Sequence, residues 1–137
     1  MGEKFEDARE ELIESINGLR PNQSFFVIFF DTSFHLQETN GLVKANSRNK
    51  KKVKAWIDLA QAFGATEPYN AIEQALDLKP DAIFVLSDGE FDYYLADQIA
   101  AINNHFTIPI HTIAFTTNAQ TLKDLADQNR GTYRFVP

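Results

Sequence analysis

The sequence predicts an α/β domain: a doubly wound, mostly parallel sheet flanked by helices on both faces. Three observations carry that expectation. The apolar runs at 24–30 and 82–86 are continuous, where a sheet with one wet face would alternate, and 108–115 is a third strong strand. Segments of helical period separate them, which is the order of a parallel sheet with right-handed crossovers. With 137 residues, 44% hydrophobic and 23% charged, the chain has material for one self-sufficient core and no second one.

The elements follow in order. Phe5, Ala8, Leu12, Ile16 and Leu19 recur at steps of three and four, with Ile13 widening the stripe, so residues 3–19 form a helix. Glu3, Glu6, Asp7, Arg9, Glu10, Glu11 and Glu14 cover its other side, the acids weighted toward the start, where the helix dipole favours them. Asn17-Gly18 is expected to supply a left-handed exit, and Pro21 stops any continuation. After the strand at 24–30, Asp31-Thr32-Ser33 marks a strand end. Residues 34–38 suit a short edge strand, and Thr39-Asn40-Gly41 a turn. Ser47 can cap a second helix bearing Val53, Trp56, Ile57, Leu59, Ala60 and Phe63. The 64–68 segment breaks it, and Ile72, Ala75 and Leu76 face inward from a short third helix. The strand at 82–86 ends in Ser87-Asp88-Gly89-Glu90. Tyr94, Leu95, Ile99 and Ile102 mark a fourth helix, and 108–115 a third strong strand. Leu122, Leu125 and Ala126 mark a last helix ended by Gly131, and 132–136 alternates as an edge strand.

Composition narrows the chemistry. The net charge of −6 argues against a nucleic-acid partner. With no cysteine there is no disulfide framework, thiolate zinc site or cysteine nucleophile. No apolar run approaches the ~20 residues of a membrane span, so the chain as given reads as a soluble module, and its compartment is not legible. His35, His105 and His111 lie in different elements without ligand spacing, and Trp56, Tyr93 and Tyr94 suit helix-face packing. Lys44, Arg48, Lys50, Lys51, Lys52 and Lys54 form a basic run that suits a solvated face. A bound anion or acidic partner is the alternative.

In open α/β sheets the working surface lies beyond the carboxyl ends of the strands. That edge receives Asp31-Thr32-Ser33, Ser87-Asp88-Gly89-Glu90 and Thr116-Thr117-Asn118, and the Gly64-Ala65-Thr66 loop can reach it. Oxygen donors without histidine or cysteine suit a hard cation such as Mg²⁺ or Mn²⁺. The same residues also serve as caps and turn formers. An enzyme reading is open too: a Mg²⁺-dependent hydrolase or phosphoryl-transfer enzyme using Asp31, Asp88 and Asp92. No phosphate loop accompanies them.

Order and spacing add a resemblance. The helix, the strand ending in Phe30-Asp31-Thr32-Ser33, the Gly64-Ala65-Thr66 loop opening a helix and the strand leading into Ser87-Asp88-Gly89-Glu90 resemble a von Willebrand factor type A domain. The tail, from 108–115 through Leu122 and Leu125 to Gly131-Thr132-Tyr133, resembles that family's last strand–helix–strand unit. The resemblance covers the whole chain as a single Rossmann-like domain, 1–137. It implies a protein-interaction module of adhesion type, without catalysis. It also implies a metal-ion-dependent adhesion site, with Thr66 and Asp88 as metal ligands and Ser87, Glu90 and Asp92 on a recognition loop.

The resemblance carries a departure as well. The family's Asp-x-Ser-x-Ser motif has no counterpart, because Asp31-Thr32-Ser33-Phe34-His35 ends in histidine and no helical stripe follows at once. The helix at 3–19 matches the family's first helix. The central first strand is therefore expected to be missing, as in an N-terminally truncated domain, and Asp31 falls at the end of the family's second strand. One hydroxyl and one carboxylate make a poor octahedral site, so weak Mg²⁺ or Mn²⁺ binding at most, and no tightly bound cofactor, is expected. Two apolar strands would then flank a gap. Either they close on each other or a strand from a partner or a second copy fills it; both leave self-association or strand complementation expected at 24–30.

Overall fold

The structure, a computed structural model, describes residues 3–20, 23–30, 43–44, 68–87, 89, 91–115 and 117–137. Asp31, His35, Trp56, Thr66, Asp88 and Glu90 lie outside the described residues, as do the expected edge strand at 34–38 and the helix begun by Ser47. Helix α1 (Glu3–Asn17) leads into β1 (Ser24–Phe30), and β2 (Val43–Lys44) follows. Then come α2 (Pro68–Asp77), β3 (Ala82–Ser87), α3 (Leu95–Asn103), β4 (Ile110–Phe115), α4 (Gln120–Gln128) and β5 (Tyr133–Val136). The sheet order is β2-β1-β3-β4-β5, with β2 antiparallel to β1 and the other neighbours parallel.

The continuous apolar strands are explained by two cores, one on each face. Phe26, Ile28, Ile83, Val85, Ile110 and Ala114 pack with Ile72 and Leu76 of α2, Ile99 of α3, and Leu122 and Leu125 of α4. Their chain neighbours Phe25, Val27, Phe84, Leu86, Ile113 and Phe115 turn the other way, onto Leu12 and Ile16 of α1. A side-chain period of two therefore puts apolar residues on both faces, which only a covered sheet tolerates.

β1 pairs directly with β3, from Phe25 opposite Ala82 to Phe30 opposite Ser87. Of the two arrangements expected for a sheet without its family's first strand, the structure has the closed one. A latch at the amino end sets the register. The Ser24 amide donates to Asp81 Oδ2 at 2.6 Å, and the Asp81 amide returns to the Ser24 carbonyl at 2.9 Å.

Three helix and strand ends differ from expectation. Gly18 does not adopt a left-handed φ; α1 instead ends by tightening, with the Leu19 amide on the Ile16 carbonyl at 3.0 Å. The left-handed residue after α4 is Arg130 (φ 61°), and Gly131 follows with its amide on the Ala126 carbonyl at 2.9 Å, a Schellman closure. Ile108 is buried but stands outside β4, because the Asn103 side chain takes both its amide (3.0 Å) and its carbonyl (2.7 Å).

His111 of β4 stacks on Phe84 with centroids 5.2 Å apart. Its Nδ1 accepts the Thr132 amide at 3.0 Å, so the neutral ring is the one that fits. Burial lowers its pKa from 6.5. The unfolded chain then binds the proton more readily than the folded one, so His111 contributes stability above about pH 6.5 that is lost as the pH falls toward its folded-state value. Urea midpoints between pH 7.5 and pH 5.5, roughly the window of a depressed histidine, should fall less in His111→Asn than in the parent. Equal pH slopes in the two proteins would refute this role.

Candidate functional site

β1, β3 and β4 end in phase: Phe30 lies opposite Ser87, and Ser87 opposite Ala114, one residue before β4 ends at Phe115. The segments that leave these strands therefore depart from one edge of the sheet, and that shared edge is the candidate site.

Within it, Ser87 is 2% exposed and closes the turn that follows β3. Its hydroxyl donates to the Gly89 carbonyl at 3.2 Å and accepts the Gly89 amide at 3.1 Å. The side chain thus shapes the loop from inside, as a serine does when it substitutes for a backbone turn partner. Further along, the Phe91 amide donates to Thr121 Oγ1 at 2.8 Å, which ties the loop to the first turn of α4. Asp92 is exposed. Its carbonyl accepts the Leu95 amide at 3.0 Å, and its Oδ2 accepts the Tyr94 hydroxyl at 2.8 Å. Tyr93 is 86% exposed and meets Tyr94 edge-to-face, with centroids 5.4 Å apart.

The loop after β4 is braced from the edge strand. The Tyr133 hydroxyl donates to Asn118 Oδ1 at 2.6 Å and accepts the Ala119 amide at 3.1 Å. Thr121 and Tyr133 are positioning residues that sequence reasoning missed. The stripe of α4 pointed only to Leu122, Leu125 and Ala126, and an alternating edge strand gives no sign that one of its tyrosines reaches across a loop.

Of the expected metal ligands, neither Thr66 nor Asp88 lies among the described residues, and of the recognition loop Ser87 and Asp92 do while Glu90 does not. Of the three carboxylates of the enzyme reading, the structure describes Asp92 alone. Among the described residues, no three His, Asp or Glu side chains gather as a metal cluster. The Ser87 hydroxyl, engaged in its own turn, and the single carboxylate of Asp92 fall short of the six oxygens of a hexacoordinate Mg²⁺ by themselves. Among the described residues, no helix is long and apolar enough to cross a membrane.

Comparisons with known proteins agree with this architecture. The chain is 27% identical over 124 residues to the voltage-dependent calcium channel unc-36 of Caenorhabditis elegans, covering 85% of this chain and 10% of that protein. It is 26% identical over 141 residues to human von Willebrand factor A domain-containing protein 3B, covering 98% of this chain and 11% of that one. The chain thus spans about a tenth of each of these relatives. A solved von Willebrand factor type A structure from Catenulispora acidiphila superposes with a TM-score of 0.69 over 97% of this chain and 34% of that one; at 16% identity it shows the fold alone. The profile of the von Willebrand factor type A domain matches residues 2–135, nearly the whole sequence, and the chain belongs to that family.

Proposed function

We propose that this chain is a non-catalytic protein-interaction module of adhesion type that meets its partner at the carboxyl edge of the sheet. One observation carries the reading. The loop between β3 and α3 is held by a hydrogen bond from α4, Phe91 amide to Thr121 Oγ1, while Asp92 and Tyr93 remain exposed on it. A loop ordered in advance loses little conformational freedom on binding, so more of each contact reaches the affinity. A relative whose name places it in a calcium channel, and of which this chain spans a tenth, supports a domain that serves inside a larger protein.

Thr66 and Asp88 belong to the proposal as an incomplete metal set. A hydroxyl and a carboxylate leave most of the six positions of Mg²⁺ to water, so binding by these residues alone is weak. Association is the other part. β1 is wholly apolar after Ser24, which makes it the element most prone to pair with another strand. A strand entering between β1 and β3 would have to replace the pairing from Phe25–Ala82 to Phe30–Ser87, so strand exchange competes against a sheet that is already closed.

Calorimetric titration with Mg²⁺ and with Mn²⁺ should show no saturable site tighter than about 1 mM. Sub-millimolar binding abolished by Asp88→Ala would overturn the incomplete site. Turnover of a simple phosphate ester, lost in the same variant, would replace the reading with the hydrolase. Light scattering should show mass rising with concentration, and a strict monomer would remove the self-association part.

A further inference from the structure

The carboxyl edge carries a feature that neither the metal set nor the fold accounts for. Tyr93 is the most exposed of the large apolar side chains described, at 86%, and its neighbour Tyr94 is 45% exposed. Exposed apolar residues scattered singly are ordinary, but two adjacent rings on a braced loop form a patch. The rings meet edge-to-face at 82°, and at 86% exposure Tyr93 presents ring face to solvent. The negative face of an aromatic ring attracts cations.

Charge points the same way. From Pro80 to Leu122 the chain holds Asp81, Asp88, Glu90, Asp92 and Asp97 and no lysine or arginine. Asp92 precedes the tyrosine pair, and Asp97 follows in the first turn of α3; both are exposed. Asp97 also offsets the positive end of that helix, which would otherwise oppose a cation nearby. With no lysine or arginine from Pro80 to Leu122, this stretch supplies its carboxylates no cation of its own, which suits one brought by a partner.

We infer that Tyr93 and Tyr94, with Asp92 and Asp97, form a docking surface for an arginine side chain on a basic segment of a protein partner. A guanidinium uses both parts of the surface: its plane stacks on a tyrosine face, and its N–H groups donate to a carboxylate. A lysine ammonium lacks the flat face and the forked donors, so arginine is the better occupant. The inference rests on the carboxyl edge being the recognition surface, and it needs no metal.

The test titrates the full chain with a short peptide carrying two arginines, and with the same peptide carrying citrulline, which keeps the shape and removes the charge. NMR shifts on binding the arginine peptide should centre on Tyr93 and Tyr94. The affinity should fall roughly three- to tenfold in Tyr93→Ala and in Asp92→Asn, and similarly for the citrulline peptide. Asp77→Asn, an exposed acid at the end of α2 outside the patch, should leave it unchanged. Equal affinity for both peptides, no loss in Tyr93→Ala, or a loss in Asp77→Asn as large as in Asp92→Asn would each overturn the inference. Thr66→Ala and removal of Mg²⁺ separate it from the metal reading. Arginine-peptide binding that persists through both supports the docking surface whatever the metal titration shows; binding that vanishes with either overturns it.

Discussion

Gly131→Ala should cost at least about 3 kcal/mol of stability and lower the thermal midpoint by about 10 °C or more. A Cβ at residue 131 would stand 1.7 Å from the Ile110 carbonyl oxygen, 2.3 Å from its carbon and 2.9 Å from the His111 nitrogen. All three are backbone atoms of β4, so no rotamer change relieves the overlap, and the strand or the turn has to move. Little slack is present. The Ile110 amide is bound to the Asn129 carbonyl at 3.0 Å, the Thr112 amide to the Thr132 carbonyl at 2.9 Å, and the Gly131 amide to Ala126 at 2.9 Å. A shift large enough to admit a methyl breaks several of these at once. Arg130→Gly is the companion experiment. Arg130 holds the left-handed φ of 61°, and glycine relieves that strain at some cost in unfolded-state entropy, so the change should be within about 1 kcal/mol of neutral. Urea denaturation of both variants decides it. A mild Gly131→Ala would mean that the close approach is not what holds α4 against β4.

The second large effect is expected at Asn103. Its side chain is 2% exposed and makes a closed set of bonds: Nδ2 donates to the Ile108 carbonyl at 2.7 Å and to Asn129 Oδ1 at 3.0 Å, and Oδ1 accepts the Ile108 amide at 3.0 Å. Asn129, also 2% exposed, passes the chain on to the Leu125 carbonyl at 2.8 Å. These bonds join the end of α3, the approach to β4 and the end of α4. They sit around Thr107, which takes a left-handed φ of 56° despite its branched Cβ. Asn103→Ala strands a buried amide and a buried carbonyl and leaves Asn129 without one donor. Each orphan costs about 1–3 kcal/mol, and a loss of about 3 kcal/mol is expected overall. Asn103→Asp should be no better, because the carboxylate turns both former acceptors into repulsive neighbours. A double-mutant cycle with Asn129→Ala should show strong coupling, since the two side chains share a bond. A loss below about 1 kcal/mol in Asn103→Ala would show that water replaces the side chain.

The carboxyl edge was legible in part. Strand ends rich in Asp, Ser and Thr located it, and the phase of β1, β3 and β4 bears out that they share one edge. What each side chain does there was not legible. Ser87 reads both as a turn former and as part of a recognition loop, and it is buried in its own turn. Tyr93 and Tyr94 looked like the packed face of a helix; α3 starts only at Leu95, and Tyr93 is exposed. The periodic stripe could not distinguish the last loop residues from the first helical ones, because helix ends are set by local hydrogen bonds such as Leu95 amide to Asp92 carbonyl.

By itself the sequence determined the layers of this protein. The unbroken apolar strands at 24–30 and 82–86, set between helical stripes, require a sheet covered on both faces, because a strand with one wet face alternates and these two do not. It determined the family too, through the order of its motifs. The tertiary structure alone decided which strands touch, that β1 closes on β3, that Arg130 and not Gly131 takes the left-handed turn, and that one tyrosine is turned into solvent. Those outcomes depend on contacts between residues far apart in the chain, such as Ser24 with Asp81 or Gly131 with Ile110. Hydrophobic period reports which residues avoid water; it carries no information on which distant partner each of them meets.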